Sequence, residues 1–269
     1  MVERIPKPPQ EDILRSAKGE TVDGYTHQLY FTYPKAGGIY EIIKSFTSKL
    51  NSKIRISTDD EVISVKKQGK FVVGTNRAQY EFDRLVSTIP LNLLAGYYYK
   101  KSEITDNAAK NLKYNSIVIA IVNVKNDMAG DNFAFMVADT RVRFHRLSKP
   151  DFLGESYHKE GSATYMLEIT YRKADLTDLS DDESLNQSVI KGLQNIGFIN
   201  SIEDVNFTDL KRFEYSYVIY DIDHRKNADI LRNFFNEEGI YLNGRFGEFE
   251  YLNMDAVIRH SLDLAKVFV

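Results

Sequence analysis

The chain has no cysteine among its 269 residues. That excludes disulfides, thiolate metal sites and a cysteine nucleophile, and it leaves the redox compartment undetermined. Charge of either sign is not in excess: 35 Lys and Arg stand against 38 Asp and Glu, a net −3 with a pI near 6.0. Such a surface draws in neither nucleic acid nor an anionic membrane as a whole, so any anion must be caught by local groups. No apolar run approaches the roughly 18 residues of a membrane helix, and the N-terminus does not read as a signal peptide. A cytoplasmic location, with no membrane and no nucleic-acid partner, is expected. His27, His145, His158, His224 and His260 show no ligand spacing, so no metal is expected either. There is no Gly-x-Ser-x-Gly elbow and no phosphate loop. Carboxylate pairs such as Asp59-Asp60 and Asp181-Asp182 sit in polar, turn-like contexts and read as solvated. Finally, none of the 15 glycines forms a Gly-x-Gly, the turn by which a backbone closes on a dinucleotide pyrophosphate. The dinucleotide-binding unit is therefore expected to be absent from this chain.

What is present is a globular composition, 43% hydrophobic and 27% charged, enough for one large or two modest domains. Pro6, Pro8 and Pro9 make an extended lead-in to a short helix over 11–17. A Tyr33-Pro34-Lys35-Ala36-Gly37-Gly38 turn precedes Ile39, Ile42, Ile43, Phe46 and Leu50, which share one helical face. From 53 to 89 the period changes to that of short strands: 54–56, 62–65, 71–73, 80–82, and a near-continuous apolar run at 85–89 that reads as covered on both faces and ends at Pro90. A helix over 103–112 leads to a β-branched central strand at 116–124. Residues 132–137 and 141–147 read as a hairpin carrying Arg141, Arg143, His145 and Arg146, which on charge pattern alone is a solvated edge. An alternating strand at 163–171 follows. Ser180-x-x-Glu183 is a capping-box candidate for a helix with Leu185, Val189, Leu193 and Ile196 inward. Residues 207–220 read as two strand pieces rich in tyrosine, and 227–238 as a helix stopped by Gly239.

The end of the chain draws these together. Ile240-Tyr241-Leu242 reads as a strand, Gly244 and Gly247 allow a tight turn, and Asn253 caps a helix with Met254, Val257, Ile258, Leu262, Ala265 and Phe268 at helical spacing. A helix N-terminus aimed at a glycine turn favours an anion such as a pyrophosphate. On spacing alone the stretch is equally a plain strand, turn and helix.

Gly244-Arg245-Phe246-Gly247, with Tyr251 and Asn253-Met254-Asp255, resembles the C-terminal flavin-binding motif of the FAD-dependent amine-oxidase (protoporphyrinogen-oxidase-like) superfamily, nearest to its UDP-galactopyranose mutase branch. Collinear matches extend along nearly the whole chain. Tyr-Pro-x-x-Gly-Gly at 33–38 resembles the turn that begins a helix beside flavin and substrate, which implies roles for Gly37 with the cofactor and Gly38 with the substrate. Tyr80 to Pro90 resembles the strand that re-enters the flavin domain, which implies Thr88 near the cofactor, and Glu61-Val62 resembles the strand whose main chain meets the adenine. Phe144-His145-Arg146 resembles the mutase segment whose arginine grips the substrate diphosphate, a role a planar guanidinium suits by donating two parallel hydrogen bonds. Tyr217 matches a tyrosine facing the substrate phosphates, although Val218 stands where mutases often carry proline.

The resemblance implies an α+β fold: an antiparallel or mixed substrate-domain sheet with helices, plus the C-terminal elements of a Rossmann-like FAD-binding domain. The divisions expected are a helical lead-in over 1–52, strands returning to the flavin domain over 53–90, a substrate domain over 91–239, and a flavin-binding strand, turn and helix over 240–269. It implies FAD held by Gly37, Val62, Thr88, Gly244, Arg245, Gly247, Asn253, Met254 and Asp255, and a nucleotide-sugar or other small-molecule substrate held by Gly38, Arg146, Tyr217 and Tyr251. No catalytic side chain is assigned, since the carbon chemistry belongs to the cofactor. The alternatives are a flavin oxidoreductase acting on an amine or apolar ring, and a non-catalytic chain or subunit. Without the dinucleotide turn, this chain alone is expected to hold FAD poorly. It is expected to pair with a separate N-terminal dinucleotide-binding chain, or to self-associate into a homo-oligomer through the apolar surface left open.

Overall fold

The computed structural model describes residues 9–20, 32–172 and 180–268. Its mixture of helices and sheets is the α+β class the sequence implies. The chain divides into two compact units, 1–54 with 150–160, and 55–149 with 161–269.

In the smaller unit, helix α1 (Gln10–Ala17) starts after Pro9, with Glu11 and Asp12 against the positive end of the helix dipole. Helix α2 (Tyr40–Thr47) follows the double-glycine turn, where Gly37 and Gly38 both take left-handed φ, +78° and +73°. The turn is stapled by Tyr157: its hydroxyl accepts from the Gly38 amide at 2.9 Å and donates to the Pro34 carbonyl at 2.8 Å. The Tyr157 ring meets Tyr33 edge-on at 5.6 Å. Helical spacing in α2 is as read, yet no residue of α2 is buried, and Ile43 and Phe46 are 51% and 56% exposed.

The larger unit holds three sheets. Strands β1 (Val62–Gln68), β2 (Lys70–Thr75) and β3 (Gln79–Phe82) form an antiparallel meander turned at Gly69. Residues 54–56 carry alternating isoleucines but form no strand, and Ile54 and Ile56 stay exposed: alternation without a neighbouring chain to pair with leaves the backbone unsatisfied. Strand β4 (Leu85–Ser87) leads through Pro90 into α3 (Leu91–Tyr97), and α4 (Glu103–Asn111) starts from a Ser102/Thr105 capping box.

Strand β5 (Tyr114–Val124) is central to a five-stranded antiparallel sheet completed by β6 (Ala134–Met136), β7 (Arg146–Ser148), β8 (Ala163–Tyr171) and β9 (Val205–Val218) in the order β6-β7-β8-β5-β9. One face of β5 and β8, including Val118, Val122, Tyr165 and Leu167, packs against Leu185, Val189 and Leu193 of α5 (Asp182–Asn195). Full burial of each such leucine contributes about 1.5–3 kcal/mol. Three expectations change here. The 141–147 segment is a strand only from Arg146, because Arg141 folds back in a turn onto Asp139. Helix α5 is capped one residue later than expected, by Asp181, whose carboxylate accepts from the Glu183 amide two residues on, as an N-cap at that position requires. The 207–220 segment is one continuous strand whose break is a bulge opposite 115–117, not a gap.

A second core joins α3 and α4 to α6 (His224–Glu237) and to the parallel pair of β4 with β10 (Ile240–Leu242). Leu91, Leu94, Tyr98, Leu231, Phe235 and Ile240 are among its buried residues. The run at 85–89 is not covered on both faces: Leu85 packs against this core, but Val86 is 41% exposed, because β10 is its only paired strand among the described residues. Helix α7 (Met254–Ala265) closes the chain, with Phe268 edge-on to Tyr241 at 4.8 Å.

Candidate functional site

Antiparallel register places Arg146 of β7 directly opposite Glu168 of β8, so the two side chains share the sheet face turned away from α5. Arg146 Nη2 donates to Glu168 Oε1. Glu168 is only 4% exposed, and its other oxygen has no hydrogen-bond partner; nor has the buried Arg146 Nε. His145 Nε2 lies 3.8 Å from that free oxygen. The pair is thus a buried carboxylate neutralised by one guanidinium, with a donor and an acceptor left unspent.

Tyr217 enters from the end of β9, just past the bulge, and is among the groups that act on Arg146. Burial, with the Glu168 charge nearby, raises the Tyr217 phenol above its usual range, so it stays a neutral donor. Its ring stacks at 18° on Tyr251, centroids 6.0 Å apart. Over Tyr251 sits the Arg245 guanidinium, 4.7 Å from the ring centroid, and Arg245 is itself pinned by Nε to the Leu252 carbonyl at 2.8 Å. Arg146, Tyr217, Tyr251 and Arg245 therefore form one continuous strip, although they come from three segments far apart in sequence.

The turn that carries Arg245 and Tyr251 is built from inside. Gly244 adopts φ +88° with open space where a Cβ would stand, and its amide donates to Glu248 Oε1 at 3.1 Å. Glu248 in turn meets His260 of α7 at 3.0 Å. Gly247 is required for a different reason: an added Cβ would lie 2.3 Å from the Asn243 carbonyl oxygen and 2.8 Å from that of Ser87. Its missing side chain is taken up by the β4 backbone, beside the Cα of Thr88. Asn253 precedes α7 in extended conformation with no side-chain cap bond, and Met254 and Asp255, in the first turn, are exposed. Val62, at the start of β1, packs half-buried against the second core. Gly37 and Gly38 belong to the smaller unit. There the Glu41 carboxylate fills the space of a Gly37 side chain, and the Gly38 amide is spent on Tyr157.

Beneath the turn lies a charged base that sequence reading missed. Glu250 is 8% exposed and accepts from Tyr220 at 2.6 Å, Arg232 at 2.7 Å and Arg225 at 2.8 Å. Burial pushes its carboxyl up, but the Tyr220 and Arg232 bonds and the two positive charges outweigh it and hold the carboxyl at about 2. Glu168 was also missed. Its signal was a lone charge inside the apolar alternation Tyr165-Met166-Leu167-Glu168-Ile169. Among the described residues no group of three or more His, Asp or Glu is placed to hold a metal ion, and no helix is long and apolar enough to cross a membrane.

No family model matches the chain, and no curated protein matches it by sequence. Solved structures do. A reduced UDP-galactopyranose mutase aligns with TM-score 0.82 at 20% identity, over 97% of this chain and 60% of its own. A protoporphyrinogen oxidase-like protein from Exiguobacterium sp. 255-15 aligns with TM-score 0.65 at 14% identity, over 85% and 51%. A putrescine oxidase triple mutant aligns with TM-score 0.61 at 12% identity, over 86% and 52%. The chain thus shares its fold with these three structures, and it spans only 51–60% of their lengths.

Proposed function

We propose that this chain is part of an FAD-dependent protein similar to UDP-galactopyranose mutase, isomerising the sugar ring of a nucleotide sugar with no net redox change. The observation that supports this is the strip of Arg146, Tyr217, Tyr251 and Arg245: two guanidiniums and two tyrosine hydroxyls aligned along one surface. Fixed cations and hydroxyl donors suit a diphosphate, whose charge grows as it leaves the sugar. Arg146 would hold one phosphate while Glu168 fixes its plane, and the unspent Nε is a further donor. Tyr217 and Tyr251 would donate hydroxyl hydrogen bonds to the same group.

For the cofactor, the end of the chain fits in part. The open space at Gly244 and the uncapped start of α7 accept a flat or anionic group close to backbone, whereas the spaces at Gly37 and Gly247 are already filled by this chain's own atoms. The flavin of FAD, when bound and reduced, would supply the electron-rich centre for the anomeric carbon. Its pyrophosphate requires a glycine turn that this sequence does not contain, so a dinucleotide-binding module must complete the site. The parallel pair β4–β10 with its exposed Val86 supports an edge for that module, since parallel strands are almost always buried within larger sheets.

The test supplies such a module, reads bound flavin by absorbance, then titrates UDP and a UDP-sugar against the parent and Arg146→Lys. Lysine keeps the charge for Glu168 but loses the planar fork. At least a tenfold loss of UDP affinity is expected, given that one charge-assisted bond contributes about 1.5–3 kcal/mol. Indifference to UDP in both forms, with oxygen consumed on an amine, would replace this reading by the oxidase.

A further inference from the structure

We propose that Tyr220 is the positioning residue for Tyr251, acting through the backbone and not on the ligand itself. Its hydroxyl donates to Glu250 Oε2 at 2.6 Å and accepts from the Tyr251 amide at 2.6 Å. One oxygen atom thereby ties the main chain of an exposed site residue to a buried carboxylate. The residues on either side show why the tie is needed. Phe249, two positions earlier, is fully buried with φ +53°, a left-handed conformation that a bulky side chain disfavours. That local reversal is held by His224, whose Nε2 lies 3.0 Å from the Phe249 carbonyl oxygen, and by Arg232, which reaches the Glu248 carbonyl. The Tyr220 ring lies against His224, centroids 4.3 Å apart, so its hydroxyl is presented by a fixed scaffold. After the reversal Glu250 turns inward, Tyr251 turns outward to 41% exposure, and the Tyr220 oxygen stands between them. The ring of Tyr251 stacks on Tyr217 and under Arg245 only while its backbone keeps this direction.

The inference rests on the proposed function where it gives Tyr251 a diphosphate to hold; the positioning itself does not depend on it. Tyr220→Phe keeps the ring and removes the oxygen. Arg225→Ala is the control: it also deprives Glu250 of a partner but does not touch Tyr251. Amide hydrogen exchange on the full chain should show the Tyr251 amide exchanging about tenfold faster in Tyr220→Phe and unchanged in Arg225→Ala, as the loss of one bond to a hydroxyl anchored on a buried carboxylate implies. In the flavin-loaded complex, UDP affinity should fall about tenfold in Tyr220→Phe and by less than twofold in the control. Unchanged Tyr251 protection in Tyr220→Phe would overturn the inference, as would an equal change in both variants, which marks general loosening. Should the parent fail to bind UDP, the functional reading falls while the exchange measurement still decides the role of Tyr220.

Discussion

Two regions of the larger unit are held in opposite ways. Between the five-stranded sheet and α5, cohesion is apolar and repeated: Val118, Val122, Tyr165, Leu167, Val189 and Leu193 are each wholly buried, and every second residue of β8 contributes. Around the turn over 244–252, cohesion is polar and particular: Glu250 with Arg225, Arg232 and Tyr220, Glu248 with His260, and one strained phenylalanine. The first kind tolerates exchange of similar volumes, because burial is non-directional. The second specifies where one exposed tyrosine and one arginine point, and it has no equivalent substitute for any member. The sheet supplies stability in bulk, while the turn supplies direction.

The largest expected effect falls on the apolar side. Leu167→Ala, at 0% exposure in mid-strand, should cost about 3–5 kcal/mol by chemical denaturation, from lost transfer energy plus an unfilled cavity. A cost under 1 kcal/mol would mean that the core is not packed as described. On the polar side, Glu250 makes stability depend on pH. Its folded-state carboxyl is held at about 2 against an ordinary 4.5, so the stabilisation is complete above pH ~4.5 and is lost as pH falls towards ~2. The full difference is about 3 kcal/mol at 1.36 kcal/mol per pH unit. Glu250→Gln should flatten that part of the stability profile while leaving Leu167→Ala variants as acid-sensitive as the parent. An unchanged acid limb in Glu250→Gln would remove the charged base from the account.

This contrast also explains what could be read in advance. Strand β8, helix α6 and the strand–turn–helix at the C-terminus were legible because alternation, helical spacing and terminal glycines are local signals of burial. The fold shared with the reduced UDP-galactopyranose mutase structure was legible through collinear short motifs. Glu250, Tyr220 and Arg232 were not, because their partners lie up to 30 residues away and nothing in a charged residue's own neighbourhood says that it is buried. The break in 207–220 was misread for a related reason: a bulge belongs to the pairing with β5 and leaves only aromatic crowding in the strand itself. In α2 the period was legible but its exposure was not, since spacing gives a face but not what covers it.

A smaller effect separates the two glycines of the turn. Gly247→Ala places a Cβ against two backbone carbonyl oxygens that no rotamer can move, and should cost about 1–3 kcal/mol by denaturation. Gly244→Ala meets open space and bears only the left-handed conformation, at about 1 kcal/mol. Equal costs would show that the packing of Gly247 onto β4 is not what its missing side chain serves.

The smallest effect in the isolated chain is expected at a surface that belongs to neither kind of region. Val86 on β4 and Ile258 and Leu262 on α7 are 41%, 43% and 54% exposed, and α7 has no buried residue at all. Substituting Val86 or Ile258 by lysine removes little buried area and should change stability by no more than about 0.5 kcal/mol. The same substitutions should act strongly on association. A parallel pair only three residues long is marginal by itself, and a lysine beside its edge would have to be desolvated if another strand or a second copy docked there. Sizing at several concentrations should therefore show less self-association in Val86→Lys than in the parent, and capture of a dinucleotide-binding module should weaken in parallel. If both lysine variants associate as the parent does, this edge is an ordinary exposed surface, and the proposed dinucleotide-binding module would have to meet the chain elsewhere.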